Sequence, residues 1–130
     1  MMTKPTDAEL EILQILWKQG ASTVRFVNEA QNKQREVGYT TTLKMMQVMH
    51  DKKLLKRDAS QRTHVYEANI SQEETQKRLL DRMMDTVFGG SAMNLVMQAL
   101  GNKRTSKKEL KEIKDLIQKM EAEEQNKKNE

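Results

Sequence analysis

The sequence predicts a mainly α-helical chain with a small β-ribbon, divided into an amino-terminal module and a three-helix carboxy-terminal region. Three observations predict it. Ser/Thr-x-x-Glu boxes open at Thr6, Ser71 and Ser106, each a reciprocal pairing of side chains with free N–H groups that starts a helix. Residues 38 to 66 run from a helical apolar stripe into two short basic strands parted by a polar turn. One Pro and five Gly in 130 residues, with 36% hydrophobic and 32% charged side chains, suit a folded helical chain rather than a disordered one.

Thr6-Asp7-Ala8-Glu9 starts helix one, with Pro5 and acidic side chains where a helix start favours them. Leu10, Leu13, Leu16 and Trp17, with Ile12 alongside, give it an apolar face, and Gly20 supplies a left-handed stop. Ser22 reads as the cap of a short helix two carrying Val24, Val27 and Ala30. That helix ends in the polar stretch Gln31 to Glu36, before Gly38. In helix three, Thr42, Met45, Met46 and Met49 recur at the i, i+3, i+4, i+7 spacing of one buried stripe. Thr40, Thr41, Lys44, Gln47 and Val48 fall on the opposite side. Leu54-Leu55-Lys56-Arg57 and His64-Val65-Tyr66 are strand-like, and Asp58 to Thr63 is a loop of turn formers. Helix, short helix, exposed third helix and two-stranded ribbon together make a winged helix-turn-helix, predicted over residues 1–70.

A helical region is predicted over 71–124. The Ser71 box opens a long amphipathic helix with Leu79, Leu80, Met83, Met84, Val87 and Phe88, ended by Gly89-Gly90. Ser91 opens a short helix bearing Met93, Leu95, Val96, Met97 and Leu100. From Ser106, Leu110, Ile113, Ile117 and Met120 repeat at alternating steps of three and four, with Leu116 beside them. Residues 125–130 read as a flexible polar tail. These one-sided apolar faces lack a second domain to cover them, so a symmetric homodimer is expected, with the apolar residues just named as its interface.

Charge placement says what the module faces. From Lys44 to His64 six cations (Lys44, Lys52, Lys53, Lys56, Arg57, Arg62) stand against Asp51 and Asp58, leaving four positive charges, equal to the net +4 of the whole chain. Such a field attracts a polyanion, more weakly as salt rises. Thr40 and Thr41, at the head of helix three, are assigned to phosphate, with a capping role for Thr40 as the other reading. Lys44 and Gln47 are the base-edge candidates, Lys for guanine acceptors and Gln for adenine. Arg57, Arg62 and His64 on the wing, with Lys52 and Lys53 at the helix exit, are assigned to backbone phosphate. Dimerisation fits this, because two recognition helices about one DNA turn (~34 Å) apart match a palindrome. The expected partner is double-stranded operator DNA; the competing reading is a winged-helix protein-interaction module without sequence-specific DNA binding.

Other classes find little support. With no Cys there are no disulfides, thiolate zinc sites or cysteine nucleophiles. No phosphate-binding Gly loop or metal-ligand spacing is present, so an enzyme, a cofactor and a metal site are not expected. The Met thioethers are a conceivable Cu(I) donor set, but Met45, Met46, Met49, Met83 and Met84 all fall on apolar stripes, which suits core packing. No apolar run approaches the ~20 residues of a membrane span and no secretion signal opens the chain, so a cytoplasmic location without membrane insertion is expected.

From about Thr6 to Met120 the chain resembles the penicillinase-repressor family of bacterial winged-helix regulators. The carriers are Thr6-Asp7-Ala8-Glu9-Leu10-Glu11-Ile12-Leu13 with Leu16-Trp17, then Ala21-Ser22-Thr23-Val24-Arg25 and Tyr39-Thr40-Thr41. Arg62-Thr63-His64-Val65-Tyr66 and Phe88-Gly89-Gly90-Ser91 complete the set. The resemblance implies a non-enzymatic dimer that binds operator DNA, blocks transcription and is relieved by an upstream sensor such as a membrane protease. The chain also departs from the family pattern: Lys44 stands where Thr is frequent, Val48 where Arg is frequent, and Lys53 where a Gly usually closes the recognition helix. Gln98-Ala99 occupies the place of the Asn-Phe bond cut in the antibiotic-resistance members, and the copper-responsive members' Cys cluster is missing.

Overall fold

The computed structural model describes residues 4–102 and 104–129. Its elements are α1 (Asp7–Gln19), β1 (Ser22–Thr23), α2 (Val24–Asn32), α3 (Tyr39–Asp51), β2 (Leu55–Asp58), β3 (Val65–Ala68), α4 (Gln72–Thr86), α5 (Ala92–Gly101) and α6 (Lys107–Lys128). The chain is thus mainly helical with a small antiparallel sheet, and it divides into two compact units, one ending at Leu79 and the other starting at Leu80.

In the first unit the Thr6 box is complete: the Thr6 hydroxyl accepts the Glu9 N–H and a Glu9 carboxylate oxygen accepts the Thr6 N–H at 2.9 Å. Ile12, Leu13 and Leu16 of α1 pack with Val24, Val27, Met46, Met49, Leu54, Leu55 and Tyr66 in one core. Ile12 therefore sits at the centre of the α1 face, whereas Leu10 and Trp17 flank it, and the Trp17 indole N–H donates to the Ile70 carbonyl at 2.9 Å. Gly20 closes α1 at φ 81 and ψ −167. That is not the left-handed helical stop expected, but a region open in practice to glycine alone.

The sheet corrects three expectations. Ser22 does not cap α2; it pairs with Tyr66 as part of β1, and Thr23 is the cap, its hydroxyl accepting the Phe26 N–H. The expected two-stranded ribbon is therefore a three-stranded antiparallel sheet in the order β1-β3-β2. A two-residue strand is too short to show an alternating pattern, so only its partner reveals it. Both strands of the arm also start one residue later than the runs expected, and they pair with Leu55 opposite Ala68, Lys56 opposite Glu67, Arg57 opposite Tyr66 and Asp58 opposite Val65. Leu54 precedes β2 because its N–H still returns to Met49 as α3 ends.

The polar stretch after α2 is held by amide side chains. Asn28 and Asn32 both donate to the Val37 carbonyl at 2.9 Å, and Asn32 accepts the Val37 N–H in return. The Thr42 hydroxyl accepts from Asn28 and donates to the Gln31 side chain at 2.6 Å, while Gln31 donates to Glu11. Buried Gln31 and Thr42 are thus paired, as burial of polar groups demands, and α3 is fixed against α2.

Lys53, just beyond α3, has φ 68, a left-handed conformation that L side chains adopt only at a cost. Lys53→Gly relieves it, offset in part by the greater freedom of glycine in the unfolded chain, and is expected to stabilise the domain by about 0.5–1 kcal/mol. Thermal unfolding checks this; a lowered midpoint contradicts it.

The Ser71 hydroxyl accepts the Glu74 N–H, and Thr75, the buried residue of α4, donates to the Ser71 carbonyl at 2.7 Å. Along the second unit, Gly89 and Gly90 take positive φ after α4, Ser91 caps α5 and Ser106 caps α6. The residues expected to fray from Gln125 are helical through Lys128: Lys127 and Lys128 sit at the negative end of the helix dipole, and the Asn129 N–H returns to Gln125. No described residue from 80 to 129 is buried. Leu80, Met83, Val87, Met93, Val96, Met97, Leu110, Leu116, Ile117 and Met120 are exposed, while Leu79 in the first unit and Met84, Phe88, Leu95, Leu100 and Ile113 in the second are half-covered. Among the described residues no helix is long and apolar enough to cross a membrane.

Candidate nucleic-acid interface

Helix α3 presents two faces. Thr42, Met46 and Met49 are buried and Met45 is half-buried, whereas Thr40, Thr41, Lys44, Gln47 and Val48 are all exposed. A helix packed on one side by a stripe of that spacing must project the intervening residues outward. Gly38 is the N-cap of α3 and offers no side-chain bond, so the capping role considered for Thr40 does not hold. Thr40 and Thr41 are instead the second and third residues of the helix, on the turn whose N–H groups have no intrahelical acceptor. Lys44 and Gln47 follow one turn on. Beside them Val48, 41% exposed, adds an apolar surface to the same face.

The wing supplies Arg57 on β2 and Arg62 and His64 in the loop before β3, all exposed. Lys56 lies across from Glu67, an opposite-charge pair on neighbouring strands, whereas Arg57 lies across from Tyr66 and meets no acid there. The Asp58 carboxylate accepts the Ser60 N–H at 2.9 Å within the turn. Hydrogen bonds from Ser60 hold that carboxyl below its ordinary range. Among the described residues Lys44, Lys53, Arg57 and Arg62 make no ion pair.

Lys52 differs. Its ammonium donates to the Glu9 carboxylate at 2.9 Å, tying the end of α3 to the start of α1. Glu9 is 3% exposed. Burial pushes its carboxyl up, but the Thr6 N–H, the Lys52 ammonium and the Thr6 hydroxyl together outweigh that and leave it below its ordinary value. The Lys52 cation is thus committed within the domain rather than grouped with the wing.

A further exposed cation lies at the head of α3, a contact that the sequence did not reveal. Exposed Arg25 of α2 places its guanidinium carbon 5.6 Å from the centroid of the Tyr39 ring, at the first residue of α3. Residues fourteen apart on two helices carry no periodic signal of such contact; it exists only once the α2–α3 loop has closed.

A three-helix core, a sheet whose β2–β3 arm projects a polar loop, and an outward third helix and wing whose Lys44, Arg57 and Arg62 make no ion pair among the described residues define a winged helix-turn-helix of the DNA-binding class. The sequence profile of the penicillinase repressor family matches residues 5–119, and the chain belongs to that family. It is 26% identical over 111 residues to the penicillinase repressor of Staphylococcus aureus, an alignment that spans 85% of this chain and 87% of that protein. The family is one of transcriptional repressors rather than enzymes.

Proposed function

We propose that this repressor works as a homodimer that grips a palindromic operator within promoter DNA and blocks transcription from it. The observation that carries this reading is the exposed face of α3 and the wing, where Lys44, Arg57 and Arg62 stand without acidic partners among the described residues. Unneutralised cations on one surface favour a polyanion. In this reading Lys44 and Gln47 address base edges, and Thr40, Thr41, Lys53, Arg57, Arg62 and His64 hold phosphates. The apolar residues of α4, α5 and α6 join two copies, and residues 1–70 act as the DNA-binding part. Its place of action is the cytoplasm, where the promoter lies. Release from DNA is assigned to an upstream sensor such as a membrane protease, a part of the reading that rests on family resemblance.

A gel shift with the promoter fragment upstream of its own gene tests the reading. Binding is expected to collapse as salt rises, with protection in two half-sites about one helical turn apart. Lys44→Ala is expected to change the preference among operator variants by about 1–3 kcal/mol at one base pair. Arg62→Ala should instead weaken all duplexes about equally and lower the salt slope by about one per chain. Equal affinity of the wild-type chain for the promoter and for a scrambled duplex at low salt refutes the operator reading.

A further inference from the structure

Arg25 follows buried Val24 on α2 and points away from the core. Among the described residues its side chain makes no ion pair and no hydrogen bond, even though Glu29 lies one turn further along the same helix. Its contact is the Tyr39 ring, 44% exposed, over which the guanidinium lies. Guanidinium groups stack on aromatic faces while their N–H fork stays available, and a fork so held has less rotamer freedom to lose when it binds. The backbone that carries the ring is held in place, because Tyr39 opens α3 and the Asn28 and Asn32 amides close the preceding loop on Val37.

We infer that Arg25, stacked on Tyr39, is a phosphate-binding residue for the duplex backbone, with Tyr39 as its positioning residue. The inference rests on the operator reading and adds α2 to a surface otherwise made by α3 and the wing. A guanidinium can take two oxygens of one phosphodiester in parallel hydrogen bonds. Arg25 is placed to do so beside Thr40 and Thr41, one and two residues beyond the ring. Such a contact carries no base information and contributes equally on any sequence.

The test uses the full chain, the promoter fragment from upstream of its own gene and a scrambled duplex of equal length, titrated from about 50 to 200 mM salt, a range over which phosphate contacts dominate the salt dependence. Arg25→Ala is expected to weaken binding to both duplexes by about tenfold and to lower the slope of log affinity against log salt by about 0.9 per chain, with an unchanged unfolding midpoint. Arg25→Lys should restore the slope but only part of the affinity, because the ammonium lacks the fork. Tyr39→Leu should keep the slope and lose about threefold in affinity, and adding it to Arg25→Ala should cost nothing more, since the ring acts through the guanidinium. Wild-type affinity and slope in Arg25→Ala overturn the inference, as does a further loss when Tyr39→Leu is added to it. Failure of the wild-type chain to bind either duplex overturns the operator reading instead, so the two failures are distinct.

Discussion

Ile117→Asp in α6, or Met97→Asp in α5, is expected to turn a dimer into a monomer and to lower operator affinity at least a hundredfold. Both side chains are about half or more exposed in the single chain, at 49% and 64%, and belong to a unit in which no described residue is buried. Covering one large apolar side chain contributes about 1.5–3 kcal/mol, so stripes of them on three helices constitute a large driving force for a partner surface. An aspartate placed there loses that gain and adds a charge to be desolvated. Affinity falls because two half-sites held by one dimer reinforce each other by about 10²–10⁴, and separate chains forgo this. Sedimentation velocity at micromolar concentration reads the assembly and a gel shift reads the affinity. Lys111→Asp, on the polar side of α6, should leave the assembly intact. A folded wild-type monomer at that concentration sinks the prediction.

The parts legible in the sequence are those set by local periodicity and capping. Helix α3 is the clearest case: every residue assigned to its outward side is exposed, and Thr42, Met46 and Met49 are buried, because a period near ~3.6 fixes both faces at once. The caps at Thr6, Ser91 and Ser106 likewise follow from short-range chemistry. What stayed hidden depends on partners distant in the chain. Strand β1 has two residues and is defined only by pairing with β3. Arg25 reads as one more solvated cation until Tyr39 is folded beneath it. Lys52 reads as part of a basic run, since Glu9, 43 residues away, already has a complete local explanation as the return half of a capping box. One carboxylate serving two purposes leaves a local signal for only one of them.

That double duty gives Lys52→Met an expected cost of about 2 kcal/mol, which lowers the unfolding midpoint by roughly 10 °C in a domain of this size. Removing one partner of a fully buried ion pair costs about 3–5 kcal/mol. The Lys52 side chain is 35% exposed and water screens it, so the lower figure applies. The pH dependence identifies the cause. In the wild-type chain the Glu9 carboxyl is held below its unfolded value of 4.5, so its contribution is present above that pH and is lost as pH falls through the folded value. Without the ammonium, the hydrogen bond and the charge by which Lys52 lowers the carboxyl are gone while the burial that raises it remains, so the variant has less stability to lose as pH falls. The stability gap between wild type and variant should therefore narrow as pH falls from 7 toward 4, and a constant gap in chemical denaturation refutes the account. The same variant settles the division of labour at the end of α3. With its cation committed to Glu9, Lys52→Met should leave the salt slope of operator binding unchanged, whereas a drop of about one per chain returns Lys52 to the phosphate-binding set.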